Sequence, residues 1–199
     1  MRYLVRLAND RHYTPKDAGT LQEKIRTLLG SPEKIGNLRV SSSAIEFDLL
    51  LDKAELDNSK NILESKISRA ITLRPIDNRA SIRNENESLL EGIRLFNEER
   101  FWEAHEALEE IWHPSRGEDR NIIQGLILTS AAFVHHQKNE ENVCISILGR
   151  ALEKLGSIDD FRGIDVRRLK FEIMKMLGAN IPHVLQVRWT GTKTTLQAP

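Results

Sequence analysis

The chain has one cysteine, six prolines, few aromatic residues (6%) and no net charge, with 29 basic and 29 acidic residues among its 199. The single cysteine, Cys144, excludes an internal disulfide and any zinc site built on cysteines. It sits in the apolar run Val143-Cys144-Ile145 and is expected to be a buried, inert thiol. Balanced charge argues against a general affinity for nucleic acid or an anionic membrane, although the part before Arg83 is mildly basic and the rest mildly acidic. The longest apolar run, Ile122 to Val134, is interrupted by Gln124, Thr129 and Ser130 and falls short of the roughly 20 residues that span a bilayer. The opening MRYLVRLANDRHY lacks the pattern of a signal peptide. What remains is an ordinary globular composition, 40% hydrophobic and 29% charged, that supports a packed core. A soluble, cytoplasmic protein without cofactor is expected.

The first part reads as alternating strands and helices. Arg2 to Ala8 alternates apolar and polar residues, the pattern of a half-buried strand. Thr14-Pro15 opens a helix with Leu21, Ile25, Leu28 and Leu29 on one stripe, and Gly30 stops it. Ile35 to Val40 and Ala44 to Leu51 form a hairpin across the Ser41-Ser42-Ser43 turn. Asp57 can cap a second helix running to about Arg69, with Ile62, Leu63 and Ile67 inward. Ala70 to Arg74 is a last strand. The order β-α-β-β-α-β is the split-βαβ, ferredoxin-like arrangement. Tyr3, Val5, Leu7, Ile45, Phe47 and Leu49 share the face that meets the helices. The other, solvated face carries Arg2, Arg6, Arg39 and Arg74 among Glu46 and Asp48, which cross-strand pairing explains more simply than a polyanion surface. No phosphate-cradling glycine loop or CxxC motif occurs in this part. Ile76 to Glu87 is polar and aperiodic, a domain boundary, and Asn84 with Glu87 fits a capping box.

The second part is helical. Leu89, Leu90, Ile93 and Phe96 make one apolar face, and Phe101, Ala104, Leu108, Ile111 and Trp112 make the next. His105 falls inside that second stripe, with Glu109 four residues on at its edge. Pro114 ends this helix, and Ser115 with Glu118 suggests a capping box for the next. So short a turn makes the two helices antiparallel. Arg120 then lies beside Glu109 and Trp112, Gln124 to Leu128 beside His105, and His135 near Trp102 or Phe96. His136 points away from His135 and is expected to be exposed. Polar groups on such a seam must satisfy one another or serve a ligand, since burying them unpaired costs several kcal/mol. Structural readings exist for each: an ion pair for Glu109 with Arg120, an interhelical bridge for Gln124, a hydrogen-bonded core residue for His105.

A metal is not expected. His105 and Glu109 have ligand spacing, but the second histidine of the zinc-protease pattern is missing. Glu110-x-x-His113 occurs once, whereas a carboxylate di-metal bundle needs that motif twice with two further glutamates. The helices that follow, Val143 to Gly156 and one capped by Asp165 and ended by Gly178, read as structural. Val184 to Trp189 is a short apolar run that can dock on either domain, followed by a polar end.

The stretch FNEERFWEAHEALEEIWH, then Arg120, Gln124-Gly125-Leu126-Ile127 and Ala131-Ala132-Phe133-Val134-His135, resembles the family called domain of unknown function 309, over roughly Leu89 to Leu155. The resemblance implies an all-α bundle and no assigned activity. It picks out Phe96, Asn97, Trp102, Glu103, His105, Glu106, Glu109, Trp112, Arg120, Gln124 and His135. The chain departs from the family pattern in three places. Glu99 stands where the family has glycine, Leu128 replaces a second glutamine, and Asn139-Glu140 replaces a Gly-Asn turn.

The expected fold is α+β: a ferredoxin-like domain over 1–78, an all-α helical bundle over 84–178 and a C-terminal tail over 179–199. The favoured function is a non-enzymatic binding or adaptor protein whose seam is a structural polar network, in which His105→Ala lowers stability without abolishing ligand binding. One alternative is a hydrolase-like enzyme with catalytic His105 as base, oriented by Glu109, and Arg120 holding an anionic substrate. The other is RNA binding through the sheet arginines. Trp102, Glu103, Trp112, Arg120, Gln124 and His135 are the candidate ligand-binding residues. The expected partner is a small anionic ligand or a protein, with homo-oligomers left open.

Overall fold

The computed structural model describes residues 1–30, 34–75 and 85–190. The chain opens with strand β1 (Arg2–Ala8), helix α1 (Ala18–Leu29), strands β2 (Ile35–Val40) and β3 (Ala44–Leu50), helix α2 (Leu56–Lys66) and strand β4 (Ala70–Pro75). The four strands make one antiparallel sheet in the order β2-β3-β1-β4. Period-two alternation in β1 and β3 sets Tyr3 opposite Leu49, Val5 opposite Phe47 and Leu7 opposite Ile45. All six are buried in one cluster with Ile25 and Leu63 of the helices. Gly30, in the left-handed conformation (φ 65°), ends α1 as expected. The start of α2 differs from the expectation. Asp52 and Glu55 form a capping box over the 3-10 turn Lys53–Glu55, so Asp57 lies inside the helix.

The opposite sheet face carries the expected charge ladder. Arg2 Nη2 lies 2.5 Å from Asp48 Oδ2, Arg6 Nε 3.5 Å from Glu46 Oε1, and Arg39 Nη2 3.5 Å from Glu46 Oε2. That face is not solvated as expected, because Arg39, Glu46 and Asp48 are 5–7% exposed. Mutual pairing lets the charges tolerate burial. Both sheet edges are interrupted. The register shifts between Gly36 and Arg39 in β2 and opposite Arg6/Leu7 in β4, where Pro75 also removes a donor.

The second half contains α3 (Glu85–Asn97), α4 (Phe101–Trp112), α5 (Gly117–Gln137), α6 (Glu141–Leu155), a two-stranded hairpin of β5 (Asp160–Phe161) and β6 (Ile164–Asp165), and α7 (Val166–Ala179). Contacts divide the chain into two compact units, 1–81 with 137–140 and 82–136 with 141–199. The linker 76–84, including the cap expected at Asn84, and the polar end after residue 190 lie outside the described residues.

Three phenylalanines lock α3, α4 and α5 together. Phe96 meets Phe101 edge-on at 4.9 Å and Phe133 at 5.6 Å, and Phe101 stacks on Phe133 at 5.1 Å. Two glycines allow close approach of neighbouring helices. A Cβ at Gly92 would stand 2.8 Å from the Leu108 side chain, and one at Gly125 2.8 Å from that of Leu155. Ser115 does not cap α5 as expected; its hydroxyl turns back and donates to Ile111 O at 2.6 Å, closing the end of α4. Asp165 caps α7 by accepting from Arg168 N, but the helix passes Gly178 and ends at left-handed Asn180.

The C-terminal segment docks on the helical unit. Leu185 and Val187 are buried in its core, and Trp189 bridges to Ile164. Asn97 holds the segment as a strand would: Val187 N donates to its Oδ1 at 2.8 Å, and its Nδ2 donates to Val187 O at 2.9 Å. Asn97→Ala leaves both backbone groups of a buried residue unpaired. We expect it to cost about 1–3 kcal/mol in denaturant unfolding and to speed hydrogen exchange at the Val187 amide.

Candidate functional site

The site grows from the two periodicities of α4. Phe101, Ala104, Leu108 and Ile111 point into the core, and Trp102, His105, Glu109 and Trp112 recur at i, i+3, i+7 and i+10 along a second, partly exposed line. On α5 the partly exposed residues Arg120, Gln124, Leu128, Ala131 and His135 form a matching line. The helices run antiparallel: Arg120 meets Trp112 at one end, and Phe133 meets Phe101 towards the other. The two lines therefore run side by side along the α4–α5 seam. His105 stands on this seam, with its side chain 20% exposed, instead of inside the apolar stripe.

At the far end Trp102, 43% exposed, stacks flat on the His105 ring, centroids 5.6 Å apart and planes at 3°. His105 Nδ1 is buried without a hydrogen-bond partner; the nearest acid, Glu109 Oε2, is 3.8 Å away. Trp112 Nε1 is likewise buried and unpartnered. The Arg120 guanidinium lies 3.7 Å over the Trp112 ring. Its Nη1 donates to the carbonyls of Trp112, His113 and Ser115 at 3.0–3.3 Å, where a cation also meets the negative end of the α4 dipole. The expected Glu109–Arg120 ion pair is replaced by this cap. The expected Gln124 bridge is also missing, since its amide makes no hydrogen bond among the described residues.

Other expected residues stand apart from these. Glu103 is held by Arg100 in a bidentate pair with both contacts at 2.7 Å. His135 lies on the α5 line, half-buried. Glu110 accepts from Ser88 on α3 at 3.0 Å. Among the described residues no group of three or more histidine, cysteine or acidic side chains is placed to hold a metal ion. Cys144 is fully buried, and burial pushes its thiol up to about 12, which leaves it un-ionised and inert. No described helix is long and apolar enough to cross a membrane.

Two residues to which the sequence assigns no role acquire one. Asn97 is the clamp on Val187. Glu99 adopts φ 58°, a left-handed conformation that costs roughly 1–2 kcal/mol in a side-chain-bearing residue and suits the glycine of the family pattern.

Residues 89–146 match the model of a family described as Domain of unknown function (DUF309), within the stretch that carries the resemblance. The crystal structure of a conserved hypothetical protein from Thermus thermophilus is also similar, at 29% identity. The match covers 49% of this chain and 99% of that one, with a TM-score of 0.40. No curated protein matches.

Burial holds His105 and His136 below the ordinary histidine value of 6.5; Glu109 opposes this for His105, as Glu141 and Glu99 do for His136. His136 is half-buried, not exposed as expected, because it is packed against Phe133; it faces these acids and His183, which pulls it lower still. The unfolded chain therefore binds more protons than the folded one as pH falls through 6.5. This part of the stability is present at neutral pH and is lost on acidification. A lower Tm at pH 5 than at pH 7 is expected, with a smaller drop in the His105→Gln/His136→Gln double variant. Stability that stays flat or rises on acidification would contradict it.

Proposed function

We propose that the protein is a non-catalytic binding protein, with the α4–α5 groove taking a small acceptor-bearing ligand, an organic anion by preference. The observation that carries this reading is the pair of buried, unpartnered nitrogens, His105 Nδ1 and Trp112 Nε1, along the partly exposed line of α4. Buried donors are nearly always satisfied, and one left unpaired costs about 1–3 kcal/mol. A ligand oxygen at each would recover that cost. The nearby Glu109 carboxylate favours the His105 tautomer with its proton on Nδ1. Trp102 supplies a flat apolar wall, and Gln124 an amide free to bond. Arg120 contributes positive charge, its Nη1 already engaged by the helix end.

In this reading the ferredoxin-like domain, 1–78, is a separate module from the bundle, 84–178, and a cytoplasmic setting fits a lone buried thiol. Acid–base chemistry is the second reading. It draws on His105 being kept neutral and able to accept a proton beside Glu109. The nucleic-acid reading gains no support, because Arg2, Arg6 and Arg39 are paired with Asp48 and Glu46.

The test is an NMR titration of the three indole N–H signals with a panel of small carboxylates and phosphate esters. At least one compound should move the Trp112 signal downfield, and Trp112→Phe should weaken its binding about tenfold. A panel that moves no indole signal counts against a binding groove. Turnover of a bound ester that vanishes in His105→Gln would move the assignment to the enzyme reading.

A further inference from the structure

The C-terminal segment that Asn97 clamps has a second edge, which opens on a cleft of about 480 Å³. After left-handed Asn180 the chain returns along α7, where His183 N donates to Met176 Sδ at 3.4 Å. Farther on it pairs with the β5–β6 hairpin. Asp165 N donates to Arg188 O at 3.0 Å, Thr190 N donates to Gly163 O at 2.7 Å, and Ile164 stands opposite Trp189. Backbone groups of an extended chain alternate between its two edges. Val187 turns to Asn97, and Arg188 turns to β6. The burial of the segment alternates from Val184 to Arg188, so Gln186 and Val184, in phase with Arg188, are assigned N–H and C=O groups on that same edge. There β6 has ended and α7 lines the other side of the cleft. Val184, Leu185 and Gln186 make no hydrogen bond among the described residues.

The charge of the cleft is as uneven as its hydrogen bonding. It is lined by Arg168 and Glu172 of α7 and by the segment through Arg188. Glu172 is already engaged, by Lys175 at 3.3 Å and His183 at 3.6 Å. Arg167 is paired with Asp159 at 2.7 Å. The Arg168 and Arg188 guanidiniums have neither a hydrogen bond nor an ion pair among the described residues. Open backbone on one wall, a helix as the other and two arginines without a hydrogen bond define the chemistry of an occupant, although Arg168 also acts on Glu172 at a distance.

We infer that this cleft binds an extended acidic peptide, which adds as a strand to the open edge at Val184 and Gln186 and sets carboxylates against Arg168 and Arg188. Strand addition beside a helix supplies affinity through the main chain and selectivity through side chains at alternate positions. The five residues from Val184 to Arg188 span roughly 16 Å, enough for a partner of four or five residues. Charge decides the class, because a basic strand would meet two arginines that lack an ion pair. The inference is independent of the α4–α5 groove.

Fluorescence anisotropy on the full chain tests it, with a fluorescein-labelled hexapeptide alternating valine and glutamate. Saturable binding is expected, at least tenfold weaker in Arg168→Ala and in Arg188→Ala. Unchanged melting temperatures would show that both variants fold. The same peptide N-methylated at alternate amides should also bind at least tenfold more weakly, and a valine–lysine peptide not detectably. Absence of binding overturns the inference. So do equal binding of the N-methylated or the lysine peptide, and displacement by inorganic phosphate at concentrations as low as those of unlabelled peptide.

Discussion

The helical unit depends on the contact among Phe96, Phe101 and Phe133, whose centroids lie 4.9–5.6 Å apart. All three rings are 0–2% exposed. Edge-on and stacked geometry adds about 0.5–1.5 kcal/mol per pair beyond simple burial. Its larger effect is on register. By joining the start of α4 to the last third of α5 it makes the helices antiparallel with a fixed offset, and the Arg120–Trp112 stack at 3.7 Å closes the other end. Everything between those two contacts, including the groove and the residues that line it, is placed by them.

The contrast between two sets of polar groups separates fold from function. Several polar side chains that hold this structure are satisfied. Asn97 makes two bonds to Val187, Ser115 closes α4, and Arg120 takes three carbonyls. His105 Nδ1 and Trp112 Nε1 lie among such groups and have no bond. An unpaired donor weakens a fold. His136 Nδ1 and the Nε atoms of Arg6, Arg26 and Arg39 also lack a partner, and what sets His105 and Trp112 apart is their shared place on the partly exposed line of α4.

Much of this was legible in the residues. Period-two alternation in Arg2–Ala8 and Ala44–Leu50 placed both faces of the sheet, and helical stripes placed α4 and α5 with the correct polarity. Caps were less legible, because several residues can terminate a helix and the local sequence does not choose among them. Asp52 and Glu55 displaced Asp57, Asn180 displaced Gly178, and Ser115 served the preceding helix. Long-range polar pairing was least legible. Nothing near Asn97 indicates that its partner lies 90 residues away. Glu109 and Arg120 have complementary charges, but nearby carbonyls at the end of α4 took the arginine instead. The burial of Arg39, Glu46 and Asp48 was also missed, since alternation records which face a side chain is on and not how far that face is shielded from water.

The claim that His105 is kept for a ligand and not for the fold is tested most directly by the unfolding free energy of His105→Phe. Phenylalanine keeps a ring of similar size against Trp102 and removes the unpaired nitrogen. If that nitrogen has no partner in the fold, stability should be unchanged or slightly raised at neutral pH. A loss of about 2 kcal/mol or more would show that His105 belongs to a structural hydrogen-bond network, and the groove would lose its principal support.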